Sequence, residues 1–228
     1  MVVGEVDRAA IQKLASDLLG GWITPAVYRR MSGSFKKVEP INKAIQTPDK
    51  ENAQFEAGMR IRISENDADY PAMVLANYMF GGSITARMPD RIRNKEGLSY
   101  GASSRFIAPA EGDAALFAAT VSSNPMNMAK VEASFVDELK KTLRDGFTPA
   151  EVAQAKKAYA DLRKVGRSQE AALVGLIAAH EQLGRSLLYD EQQEAKIQAL
   201  SLEQINAAFR KYVDPSAISI VKAGNFKN

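Results

Sequence analysis

Two periodicities run along this chain. From position 54 to 63, Phe55, Ala57, Met59, Ile61 and Ile63 alternate with Gln54, Glu56, Gly58, Arg60 and Arg62, the period-two pattern of a strand with one buried and one wet face. Ala114 to Val121 is almost continuously apolar and predicts a strand buried on both faces at the middle of a sheet. Val2–Val6, Val38–Thr47 and Ala217–Val221 read as further strands, with Pro40 confining the second to an edge, and Leu98 to Phe106 reads as extended.

Helical spacing supplies the rest. Asp7 caps a helix with a stripe of Ile11, Leu14 and Leu18, ended by Gly20 and Gly21. Trp22 to Lys37 reads as a surface connection. Asp69 and Pro71 open a helix over Tyr70–Met79, and Asn124-Pro125 opens another striped by Met128, Val131, Phe135, Leu139 and Leu143. Thr148 with Glu151, and Ser201 with Gln204, have the spacing of capping boxes. The first starts a long helix, through Tyr159 and Leu162, that breaks near Gly166; a further helix covers Gln169–Leu183. Ser83 is placed to cap a helix that carries Arg87, Arg91 and Arg93, is kinked by Pro89 and stops at Gly97, with Leu98 folding back on Ile92. Strands in antiparallel-friendly groups and helices in runs predict an α+β fold, a mainly antiparallel sheet with helices on one face, as a single domain over 1–228.

Composition narrows the chemistry. Thirty basic and 27 acidic residues give a net charge of +3. The charges are interspersed, so no nucleic-acid surface is indicated, and no run reaches the length of a membrane helix. With no cysteine and one histidine, the chain lacks the paired imidazoles that a catalytic zinc site of the H-x-x-E-H type needs. His180 lies on a stripe with Leu176 and Ile177 and reads as a core or interface histidine. No serine sits in a G-x-S-x-G turn, and Gly81-Gly82 lacks the lysine of a phosphate loop. Asp90, Glu96 and Glu111 read as solvated charges.

What remains is Arg93, in the last turn of a helix, and Tyr100, just inside the following strand, with Gly97 and Leu98 between them. Arginine offers a rigid fork of donors for carbonyls or carboxylates, and tyrosine one hydroxyl for a developing oxyanion. The bland readings are equally available. The macrodipole favours an arginine there, tyrosine is common in strands, and Tyr100 shares its parity with Ala102, which points it at the core.

The run GGSITARMPDRIRNKEGLSYGASS resembles the signature of the C-terminal, non-zinc half of pitrilysin/insulinase-family zinc metallopeptidases, as do the opening VVGEVD and the run TPDKENAQFEAG at 47–58. The resemblance extends over essentially the whole chain. It implies the non-zinc half of a zinc endopeptidase, either the C-terminal half of a longer chain or one subunit of a pair. The partners it implies are a zinc-bearing half with an H-x-x-E-H helix and an unfolded peptide substrate. It implies roles for Arg93 and Tyr100 in substrate holding and transition-state stabilisation, and backbone approach of peptide or partner at Gly81, Gly82 and Ser83. Short family members suggest a bacterial, periplasmic setting. The alternative is an assembly subunit of the same fold, similar to the core proteins of a respiratory complex. The apparent strand at the very start also predicts a fragment cut at a domain boundary.

Overall fold

A computed structural model describes residues 1–48 and 50–226; Asp49, inside the 47–58 run, lies outside the described residues. Helix α1 spans Arg8–Leu19, followed by β1 Asn42–Gln46, β2 Ala53–Arg62 and α2 Tyr70–Asn77. Next come a π-helical turn over Tyr78–Gly82, a single turn α3 Arg87–Pro89, a second π-helical stretch Asp90–Lys95, β3 Ser99–Ile107 and β4 Ala114–Ser123. The second half holds α4 Met128–Asp145, α5 Pro149–Ser168, α6 Glu170–Gln182, α7 Leu188–Ala199, α8 Leu202–Tyr212 and β5 Ser219–Gly224. The sheet order is β1-β5-β2-β4-β3. β1 and β5 pair in parallel, while β2 with β4, β2 with β5 and β3 with β4 are antiparallel, so this is the expected α+β architecture.

β2 realises the alternation read from the sequence. Ala53, Phe55, Ala57, Met59 and Ile61 are buried, and their neighbours face outward. On the inner side Phe80 lies 5.9 Å from Phe117, 6.2 Å from Phe135 and 5.8 Å from Phe209. These rings, contributed by the π turn, β4, α4 and α8, bind the helices to the sheet through buried apolar area. Both capping boxes form.

Several expectations change. Val2–Val6 is not a strand; Val2 and Val6 are exposed and no neighbouring strand pairs with them. Asp7 does cap α1, accepting from Ala9 and Ala10, yet α1 fully buries no residue, with Ile11 half-buried and Leu14 and Leu18 facing solvent. β1 is shorter than Val38–Thr47 and is an edge, as Pro40 required. β4 is an interior strand, but β2 holds the middle of the sheet. Ser83 caps nothing with its side chain: the helix starts at Arg87 behind Ala86. Pro89 sits in that first turn, where no partner for its nitrogen is needed, and the winding changes to π directly after it. Helix α7 carries no apolar stripe to announce it, because one of its buried positions is the polar Asp190.

Candidate functional site

The three arginines of the signature run have different fates. Arg87 forms a two-pronged pair with Glu151 (Nε–Oε1 2.6 Å, Nη2–Oε2 2.7 Å), donates to the Gly146 carbonyl at 2.8 Å and stacks 4.9 Å over Phe147. Such fork-to-fork pairing is geometrically specific. Burial pushes the Glu151 carboxyl up, but the Arg87 hydrogen bonds and those from the Thr148 N–H and hydroxyl outweigh it and hold the group at about 2. Arg91 is gripped by Glu96 at 2.8 Å and by Asp137, and the hydrogen bond to Glu96 is the main reason its guanidinium is held above its ordinary range. Glu96 also accepts from Ser134, so it is a structural carboxylate rather than a solvated one. Asp90 pairs with Lys95, and Glu111 with Arg30.

Arg93 differs from both. Its side chain is exposed and makes no hydrogen bond or ion pair with any described residue. The segment that presents it is wound as a π-helix, with the Glu96 N–H on the Arg91 carbonyl (3.0 Å) and the Leu98 N–H on the Ile92 carbonyl (2.9 Å). Single π turns are frequent at functional sites. Gly97 closes it at φ +63°, a conformation only glycine adopts freely, and turns the chain into β3. Leu98 and Ile92 are joined by that backbone bond, and both belong to the core.

Tyr100 is where the sequence parity argument fails. In the β3–β4 register Ser99 pairs with Ser123 and Gly101 with Ser122, leaving Tyr100 as the extra residue of a β-bulge. Its side chain is 78% exposed instead of following Ala102 and Ser104 inward. The bulge is pinned by Ser99. The Gly101 N–H donates to its Oγ at 2.9 Å, and that Oγ lies 2.7 Å from the carbonyls of both Gly101 and Ser122. Bulges re-aim side chains in this way and recur beside active sites. A serine two residues before a glycine is too common a pattern to have announced it.

Gly81, Gly82 and Ser83 form the approach to this run. Gly81 is buried, and a Cβ on it would stand 2.5 Å from the Ser104 Oγ and 2.9 Å from the Ser104 nitrogen. Its bareness therefore serves the contact between the first π turn and β3. Gly82 is exposed and Ser83 half-buried, the latter 3.4 Å from the Thr85 hydroxyl.

The chain's own donors do not suit zinc. Among the described residues no three of His, Cys, Asp and Glu gather to hold an ion. His180 is buried, with Nε2 2.7 Å from Asp190, whose other oxygen takes Arg163. Among the described residues no helix is long and apolar enough to cross a membrane.

The family description "Peptidase M16 inactive domain" matches residues 1–159. The "Probable inactive metalloprotease YmfF" of Bacillus subtilis (strain 168) is 29% identical over 104 residues, 46% of this chain and 24% of that protein. A peptidase M16 inactive domain from Pseudomonas fluorescens superposes with a TM-score of 0.77 at 24% identity, over 96% of this chain and 51% of that one. A chain of complex III2 from Candida albicans superposes at 0.67 with 14% identity, over 82% and 46%. The chain thus spans a quarter to a half of the length of these relatives. Its sequence over residues 1–159 and its five-stranded α+β architecture agree: the chain belongs to the peptidase M16 inactive-domain family.

Proposed function

We propose that this chain is the non-zinc half of a zinc metalloendopeptidase, acting with a zinc-bearing domain or subunit on unfolded peptide. One observation carries the reading. Of three arginines in the run, two are neutralised inside the domain, while Arg93 is held out with no partner among the described residues and Tyr100 is lifted from the sheet alternation by a pinned bulge. A fold maintained for packing alone gains nothing from either.

In this reading the zinc and its activated water belong to the partner. The Tyr100 hydroxyl donates to the scissile carbonyl oxygen as negative charge develops on it, and Arg93 holds a substrate carbonyl or carboxylate with its fork. The phenol reaches its target from a bulge fixed by three short contacts of Ser99, so little reorganisation accompanies the reaction. Gly82 and Ser83 offer backbone to an approaching peptide or partner.

The test is to mix the chain with an H-x-x-E-H half of the same family and follow peptide hydrolysis. Tyr100→Phe is expected to lower kcat by roughly 10²–10³, with the partner's zinc content unchanged. Arg93→Gln is expected to act mainly on KM. Unaltered kcat for Tyr100→Phe removes the tyrosine from the reaction. It leaves the assembly role suggested by the likeness to a respiratory-complex chain.

A further inference from the structure

The face of the sheet turned away from the helices is not bare. The segment before β1 crosses it as a strap: Gly33 bridges to Gly112, the Phe35 N–H donates to Asp113 at 2.6 Å, and the Arg62 guanidinium lies 5.1 Å over the Phe35 ring. Between the strap, the strands and the end of α8 runs a groove of ≈ 710 Å³. Its floor is aliphatic, from Gly58, Leu116, Ala118 and Val221.

Cations outnumber carboxylates five to two on its walls. Lys37, Arg60, Arg62, Arg105 and Lys211 line it, against Glu56 and Asp214. Both carboxylates are already engaged, Glu56 accepting from the Thr120 hydroxyl at 2.7 Å and Asp214 from the Ser216 N–H and hydroxyl at 2.8 and 2.7 Å. Lys211 is neutralised by Asp69 at 2.6 Å and Arg62 by Asp113 at 3.4 Å. The cations over the floor are not. Arg105 has no side-chain partner among the described residues, and Arg60 has a single long contact, 3.4 Å to the Ala114 carbonyl.

The register brings these two together. Gly58, Ala118 and Arg105 form one row across β2, β4 and β3, and Arg60 lies in the adjoining row with Leu116. The backbones of Arg60 and Arg105 stand two strand spacings and two residues apart, roughly 12 Å across the sheet, and this spacing, with aliphatic floor between them, matches a chain that alternates carboxylates with apolar side chains.

We infer that this groove binds an extended acidic peptide segment, with apolar side chains on Leu116, Ala118 and Val221 and carboxylates on Arg60 and Arg105. Fork-to-carboxylate pairing over an apolar floor supplies the selectivity. The inference is independent of the roles of Arg93 and Tyr100, since binding is read without zinc or a partner.

The experiment is fluorescence anisotropy of rhodamine-labelled ten-residue peptides of alternating Glu and Val, Gln and Val, or Lys and Val, titrated with the 228-residue chain at low salt. The Glu peptide is expected to bind roughly tenfold more tightly than the Gln peptide, a difference of two partly shielded charge pairs. The Lys peptide should bind least, and salt should weaken the Glu complex. Arg60→Gln/Arg105→Gln should abolish the preference, whereas Arg144→Gln, at a cation outside the groove that pairs with its neighbour Asp145, should not. Equal affinity for Glu and Gln peptides, no binding of either, or an unchanged preference in the double variant overturns the proposal. If the double variant unfolds, Arg105→Gln alone decides: its side chain supports nothing in the fold, and an unchanged preference there overturns the proposal equally.

Discussion

At the scale of single residues, the decisive positions are those where a side chain's absence or direction departs from its neighbours'. Gly81 is the clearest case of absence. A methyl there meets Ser104 at once, and overpacking of this kind costs roughly 1–3 kcal/mol. Gly81→Ala is therefore expected to shift the urea midpoint down. Adding Ser104→Gly should restore only part of the loss, because the backbone nitrogen of residue 104 is itself too close. The Gly81-Gly82 pair stood out in the sequence, but nothing there said which glycine was confined; that depends on a strand more than twenty positions away. The arginines teach the same lesson. Helical spacing put Arg87, Arg91 and Arg93 on one short segment, yet their partners Glu151 and Asp137 come from elements that only the tertiary fold brings near.

At the scale of elements, several local readings held, although the cap assigned to Ser83 did not. The two capping boxes, the αL glycine at position 97 and the β2 alternation each rest on contacts within a few residues, and each is present. Bulge, π turns and α7 were illegible because each depends on a neighbour: β4 for Tyr100, the buried His180–Asp190 pair for α7. The junction of α3 with α5 offers a measurement. Glu151 titrates at about 2 in the folded chain against an ordinary 4.5, so its stabilising effect is complete above about 4.5 and disappears as pH falls through 2. Urea unfolding followed from pH 5 to pH 2 should show falling stability, and Glu151→Gln should flatten that fall while lowering stability at pH 7. A parallel fall in both proteins would place the acid sensitivity elsewhere.

At the scale of the whole molecule, the fold class and family were legible from the alternation and the run 81–104. The arrangement of the first forty residues was not. A helix with a proper cap and an apolar stripe ordinarily packs, yet α1 fully buries no residue, because five strands and the helices α2, α4 and α8 already close the core. Deleting residues 1–32, which leaves the Gly33 bridge in place, should therefore leave Tm unchanged in calorimetry. A marked drop would show that α1 supports the core after all.

The parallel pairing of β1 with β5 has a consequence for how such a domain can be joined to another. Polypeptide leaving after β5 does so beside the β1 border of the sheet, whereas Tyr100 occupies the opposite border, four strand spacings from β1 or roughly 19 Å away. A tether of any length can thus be attached after β5 without disturbing the border that carries Tyr100. The same geometry serves equally for halves fused in one polypeptide and halves made as separate subunits.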